Sequence, residues 1–120
     1  MADITTVVDQ YIAMWNETDA DARRAIVARA FDDDGTYLDP LMAGEGPEGI
    51  DAMVAGAQAQ FPGARFELTA GPDRHHDRVR FAWRMVSGDG AGELARGVDF
   101  ATLGADGRLR SVTGFLEPAA

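Results

Sequence analysis

The chain has 120 residues, 46% of them hydrophobic, no cysteine and a formal net charge of −9. That size suits one domain with a single core, residues 1–120, and the missing cysteines exclude disulfides and thiolate metal sites. The acidic balance opposes nucleic acid and anionic membranes, whose phosphates need a basic face.

No apolar run is long enough to cross a bilayer. The first residues, Met1 to Ile4, lack the basic start and apolar stretch of a signal peptide. A cytoplasmic location is the expectation. All eleven basic residues are Arg, a usage that matches GC-rich bacterial coding.

Ile4, Val7, Val8, Tyr11, Ile12 and Trp15 recur at helical spacing, so a first helix is expected after Asp3 as N-cap, ending near residues 16–19. Tyr11 lies in that stripe, and a buried phenol needs a polar partner. A second helix follows Asp19, its own N-cap, and carries a weaker stripe of Ala22, Ala25, Ile26, Arg29, Ala30 and Phe31. Asp32, Asp33, Asp34 and Gly35 then read as a solvated turn, because the spacing lacks the alternating ligands of a calcium loop. A short strand is expected over residues 36–39. On it Tyr37 and Asp39 share a face and Leu38 takes the other.

The Gly-rich residues 41–49 read as a flexible connection at a pocket mouth. The third helix begins at Pro47 or Gly49 and runs to Gln60, with Ile50, Met53, Val54, Ala57 and Phe61 inward. The period then changes to that of strands, expected over residues 65–70, 76–86, 93–103 and 108–115, with turns at Gly71-Pro72-Asp73, Ser87-Gly88-Asp89-Gly90 and Ala105-Asp106-Gly107. In the second of these strands Val79, Phe81, Trp83 and Met85 take one face and Arg78, Arg80 and Arg84 the other. Segregated helices and antiparallel strands give the α+β class. Ten-residue strands must twist and curl, so three helices on one face leave a cone open at one end, the default ligand site.

The stretches Val7-Val8-Asp9-Gln10-Tyr11-Ile12, Asp34-Gly35-Thr36-Tyr37-Leu38-Asp39-Pro40, Gly49-Ile50, and Gly97-Val98-Asp99-Phe100 ahead of Asp106-Gly107-Arg108 resemble the nuclear-transport-factor-2-like superfamily, which contains the SnoaL-like proteins and the ketosteroid isomerases. The resemblance covers almost the whole chain. It implies a single SnoaL-like domain with a cone-shaped, curved, mostly antiparallel sheet covered by three N-terminal helices, and it favours a homodimer. Ketosteroid isomerases carry a tyrosine on the first helix, a base aspartate before a proline on the first strand and a second aspartate on a late strand. Tyr11, Asp39 and Asp99 look like those three. By that resemblance Asp39 would move a proton at the carbon beside a carbonyl, while Tyr11 and a neutral Asp99 would hydrogen-bond the enolate oxygen. Trp15 would narrow the cone if it faces inward, and Tyr37 is placed to hydrogen-bond Asp39; both point away from a steroid.

Each residue also has a plainer reading. Asp39 would then only fix the Asp-Pro turn, Asp99 would pair with an arginine such as Arg96 or Arg110, and Tyr11 would be a core tyrosine. His75 and His76 are adjacent, which puts them on opposite faces and suits no shared metal. Trp15, Tyr37, Met53, Phe61, Trp83 and Phe115 are the candidate substrate-binding walls, although residues such as Trp83 and Phe81 are far more often core or dimer face than ligand cage. No phosphate loop or metal cluster is present in the sequence, so no cofactor is implied. The expected partner is a small, mostly apolar molecule, handled by an isomerase- or cyclase-type enzyme or held by a non-catalytic binder. An epoxide hydrolase of the limonene type would need an Asp-Arg-Asp relay, and Arg96 and Asp99, three apart, fall on opposite faces of a regular strand.

Overall fold

A computed structural model describes residues 3–117. Its elements run α1 (Ile4–Asn16), α2 (Ala20–Ala30), β1 (Phe31–Leu38), β2 (Ala43–Glu45), α3 (Gly46–Gln60), β3 (Arg65–His75), β4 (Arg78–Val86), β5 (Glu93–Leu103) and β6 (Leu109–Glu117). Both predicted N-caps form. The Asp3 carboxylate accepts from Thr5 N at 2.9 Å and that of Asp19 from Ala22 N at 2.9 Å, satisfying amides the first helical turn leaves free. Pro47 sits in the first turn of α3, where its missing N–H costs nothing.

The strands form one open mixed sheet in the order β2-β1-β6-β5-β4-β3. The last four strands are the expected antiparallel meander, and β1 joins it parallel to β6. Long strands curl when twisted, and the three helices cover one face of this sheet. The core lies between. Val7, Val8, Tyr11, Met14 and Trp15 of α1 meet Phe31 and Tyr37 of β1, Ile50 and Val54 of α3, and Val79 and Phe81 of β4. The alternation on β4 sends Val79, Phe81, Trp83 and Met85 inward and Arg78, Arg80 and Arg84 outward.

The helices are tied to one another by one buried polar cluster. Arg23 Nε donates to Asp51 Oδ1 at 2.7 Å and Arg23 NH1 to Gln58 Oε1 at 3.0 Å. Gln58 Nε2 in turn donates to the carbonyls of Trp15 and Glu17 at the end of α1. A buried charge needs such partners, and these set where Trp15 stands.

Three local expectations are corrected. Residues 32–35 are not a solvated turn: β1 starts at Phe31, directly after α2, and the aspartates ride on an irregular stretch of strand. Burial of Asp32 is offset by Arg110, whose Nε donates to Asp32 Oδ2 at 2.8 Å. The connection after β1 holds a short strand, β2, paired antiparallel with β1 at Thr36, Tyr37 and Leu38. Finally, β3 runs on past Ala70 to His75, because register irregularities between Leu68 and Asp73 absorb Gly71 and Pro72 while pairing with β4 resumes.

Candidate functional site

A cavity of about 100 Å³ opens between the helices and the concave face of the sheet. Its walls come from every layer: Tyr11 and Trp15 from α1, Tyr37 and Asp39 from β1 and its end, Phe66 from β3, Trp83 from β4, Asp99 from β5. Leu41, Phe61 and Leu116 also line it and keep substantial exposure, which marks the mouth.

Two carboxylates project into this apolar space, each held by a tyrosine. Tyr11 Oη donates to Asp99 Oδ2 at 2.7 Å, and Tyr37 Oη donates to Asp39 Oδ2 at 2.6 Å. Asp39 Oδ1 also accepts from the backbone N–H groups of Leu41 and Met42 at 2.8 and 2.9 Å. The Asp-Pro turn reading and the pocket reading of Asp39 therefore coexist, one oxygen serving each. Asp99, 1% exposed, accepts a second bond from Trp83 Nε1 at 3.0 Å. Neither arginine expected as its partner is near: Arg96 pairs with Glu93 and Arg110 with Asp32. A Cβ built on Gly114 would lie 2.9 Å from Asp99 Oδ1, 3.2 Å from Asp39 Cβ and 3.2 Å from Tyr37 Oη. The two acid–tyrosine pairs thus meet over one bare patch of β6.

The electrostatics follow from burial. Loss of water pushes the Asp99 carboxyl up to about 6, against the pull of the Tyr11 and Trp83 donors. Burial, with the Asp99 charge next, raises both Tyr11 and Tyr37 well above the ordinary phenol range. Both phenols therefore remain protonated donors. At neutral pH Asp99 is mostly ionised, and it becomes a neutral donor only below about pH 6. Burial thus moves Asp99 toward the neutral form, the direction that a donor role needs.

Of the sequence candidates, Tyr11, Trp15, Tyr37, Asp39, Phe61, Trp83 and Asp99 line the cavity. Met53 and Phe115 do not. Met53 packs half-buried against the core. Phe115 shares a face with its register partner Val98, whereas Asp99, the next residue, points inward, so Phe115 stands 59% exposed on the outer side of the sheet. Arg96 also lies outward on β5 with Glu93 and away from the carboxylates, which removes the Asp-Arg-Asp relay. His75 and His76 stack edge-on at the exposed β3–β4 turn, outside the cavity. Among the described residues no group of three or more His, Asp or Glu could hold a metal ion.

Sequence reasoning missed Phe66, Leu41, Met42 and Leu116 as walls and Gly114 as the bare patch. Phe66 had a signal in its alternation on β3. Leu41 and Met42 had none, because their placement depends on the Asp39 turn.

A family model for the SnoaL-like domain matches residues 8–112. Among solved structures, a SnoaL-like-family protein from Agrobacterium tumefaciens with a provisional isomerase label is 43% identical, with 98% of this chain and 100% of that chain covered and a TM-score of 0.91. A nuclear-transport-factor-2-like protein of unknown function from Exiguobacterium is 19% identical over 94% of this chain and 99% of that one, TM-score 0.73. A SnoaL-like protein from Jannaschia, provisionally labelled a polyketide cyclase, is 19% identical over 98% of this chain and 90% of that one, TM-score 0.71. These last two show the fold alone. No curated protein matches in sequence. With its model match over most of the chain and a 43% identical relative spanning its length, the chain belongs to the SnoaL-like family.

Proposed function

We propose that this protein is a small-molecule enzyme of the isomerase or cyclase type, doing cofactor-free proton transfer beside a carbonyl. The observation that carries this is the convergence of Asp39, Tyr37, Asp99 and Tyr11 in one apolar cavity. Asp39 is the base: its Oδ2 takes the proton from the carbon next to the carbonyl, the electron pair of that C–H bond becomes the C=C π bond of the enolate, and the C=O π pair moves onto the oxygen. Asp39 then returns the proton to the same carbon or to a conjugated one. In the resting site Tyr11 donates to ionised Asp99; once Asp99 takes up a proton, Tyr11 is released from it and the two O–H groups turn to the oxygen as it gains charge. The 43% identical relative with the provisional isomerase label supports this class. The protein works as a homodimer joined through the outer face of the sheet.

The test is α-proton exchange into deuterated buffer for cyclohex-3-enone, followed by NMR together with its conversion to the conjugated isomer. The protein should exceed the buffer rate, and Asp39→Asn should lose about 10²–10⁴-fold, the usual worth of a positioned base. If the parent protein never exceeds the buffer rate while small ketones still bind, the second reading stands: a non-catalytic binder of a small apolar ligand. The three bonds already held by Asp39 are the observation that favours that reading.

A further inference from the structure

The cavity is longer than the space it encloses. On β5 both Asp99 and Ala95 line it, and a step of four residues along a strand covers about 13 Å. In register with them, Gly114 lies beside Asp99, Leu116 and Trp83 flank Gly97, and Met85 lies beside Ala95. A dry cavity of roughly 150 Å³ holds one benzene, so the enclosed space of about 100 Å³ fills only part of that length. Asp99, sealed from water, marks the closed end, and the remainder is an open trough. Leu41 from the turn after β1, Phe61 at the C-cap of α3 and Leu116 near the end of β6 stand around the open part at 74%, 38% and 38% exposure. Single exposed apolar residues need no explanation, but three from separate elements gathered on one opening mark a binding surface. The same three line the cavity, so what covers them is what enters it. Among the described residues two carboxylates and no arginine or histidine line that space, which leaves an anionic head without a partner.

We propose that this mouth is a second subsite, for an apolar chain, and that the substrate is an uncharged ketone with a head no larger than one six-membered ring and an alkyl tail. The head fills the closed end and reaches Asp39 and Asp99. The tail runs outward along Trp83 and Met85, and Leu41, Phe61 and Leu116 close over it. Burying the tail covers the three exposed side chains as well as the methylenes, so each carbon added to the tail strengthens binding. A fused-ring ketone overfills the closed end and leaves the mouth residues in water. This rests on the reading above and narrows it, since the ketone head comes from that reading and the tail comes from the shape of the trough. Leu41 and Leu116 are then the residues that select for chain length.

The test is calorimetric titration of the whole protein with 4-methylcyclohexanone, 4-butylcyclohexanone and 4-butylcyclohexanecarboxylate. The butyl ketone should bind about tenfold more tightly than the methyl ketone, the worth of three half-buried methylenes. The carboxylate should bind more weakly than the butyl ketone. Leu41→Ala, which keeps the backbone N–H that holds Asp39, should cut the butyl-to-methyl ratio to about threefold, and so should Leu116→Ala. Both side chains are exposed, so neither change threatens the core. Leu94→Ala is the matched control: Leu94 is an exposed leucine on β5 outside the cavity, and the ratio should stay near ten. Equal affinity for the two ketones overturns the subsite, and so does a ratio that survives both mouth substitutions. Tighter binding by the carboxylate overturns the ketone head. A flat ratio together with a changed mass by light scattering in Leu41→Ala or Leu116→Ala makes the mouth a contact between copies instead. No binding by any compound overturns the proposal outright. Because the readout is affinity, a chain-length preference without α-proton exchange in either ketone would fail only the enzyme reading, and exchange without the preference would fail only the subsite.

Discussion

Asp99 joins the site and the stability of the fold in one group. It is a carboxyl on a central strand, sealed from water and raised to about 6 from an ordinary 3.8. Unfolding returns it to that ordinary value. Between about pH 4 and 6 the folded chain keeps the proton and the unfolded chain has lost it, so stability from this group is present in acid and is lost as pH rises through about 6. The burden at pH 8 is of order 2–3 kcal/mol. Asp99→Asn keeps an acceptor for Trp83 and gives Tyr11 a donor in place of an acceptor, so it should raise the urea midpoint at pH 8. That gain should vanish by pH 4. An Asn variant less stable than the parent at pH 8 would show instead that the Tyr11 and Trp83 bonds outweigh the cost of burial. The same titration bears on activity: if a neutral Asp99 donates to the enolate, exchange per bound substrate should fall as pH rises through about 6.

The elements place these groups through two glycines on neighbouring strands. Gly97 of β5 pairs with Trp83 of β4 in register, and a Cβ built there would stand 2.6 Å from the Trp83 ring and 2.6 Å from the Phe115 carbonyl. The indole lies across Gly97 because no side chain occupies that spot, and so its N–H reaches Asp99, two residues on. Gly97→Ala should displace the indole, costing about 1–3 kcal/mol by overpacking. The expected readouts are a lower melting temperature and a moved Trp83 indole resonance. An unchanged resonance would mean that the backbone of β5 gives way instead of the ring. Gly114 of β6 does the same service for the two carboxylates, facing Asp99 in register. Neither role needs a special backbone angle; each needs only the absence of a side chain.

At the scale of the molecule, the helices cover one face of the sheet and leave the other open. That outer face carries Leu38, Phe100 and Phe115 at 56%, 41% and 59% exposure, with half-buried Ala82 and Val98 between them. Arg84 pairs with Glu67 and Arg80 with Asp73 at its border. An apolar centre with a charged rim is the anatomy of an interface, and a twofold dimer would let the same patch cover itself. Light scattering at tens of micromolar should give twice the chain mass of 12.8 kDa. Phe115→Glu should halve it while leaving ligand affinity in place, since Phe115 is outside the cavity. A monomer mass for the parent protein counts against the dimer. No helix among the described residues is long and apolar enough to cross a membrane.

The sequence by itself determined the elements whose cause is local. Helix α1 and its Asp3 cap, α2 behind Asp19, α3 behind Pro47 and the inward row of β4 all follow from period and capping, which act over a few residues. The shared face of Tyr37 and Asp39 was readable for the same reason. Tertiary structure decided what depends on partners distant in the chain. Asp32 entered a strand because Arg110, 78 residues away, neutralises it there. Trp83 became an inward donor because Gly97 makes room for its ring, and Phe115 turned outward because its register with Val98 set its face. Asp99 rests against a tyrosine 88 residues earlier, and no local pattern encodes which of its oxygens meets which donor. Burial also decided its charge, because the cost of ionising a carboxyl depends on the water that the whole fold has removed.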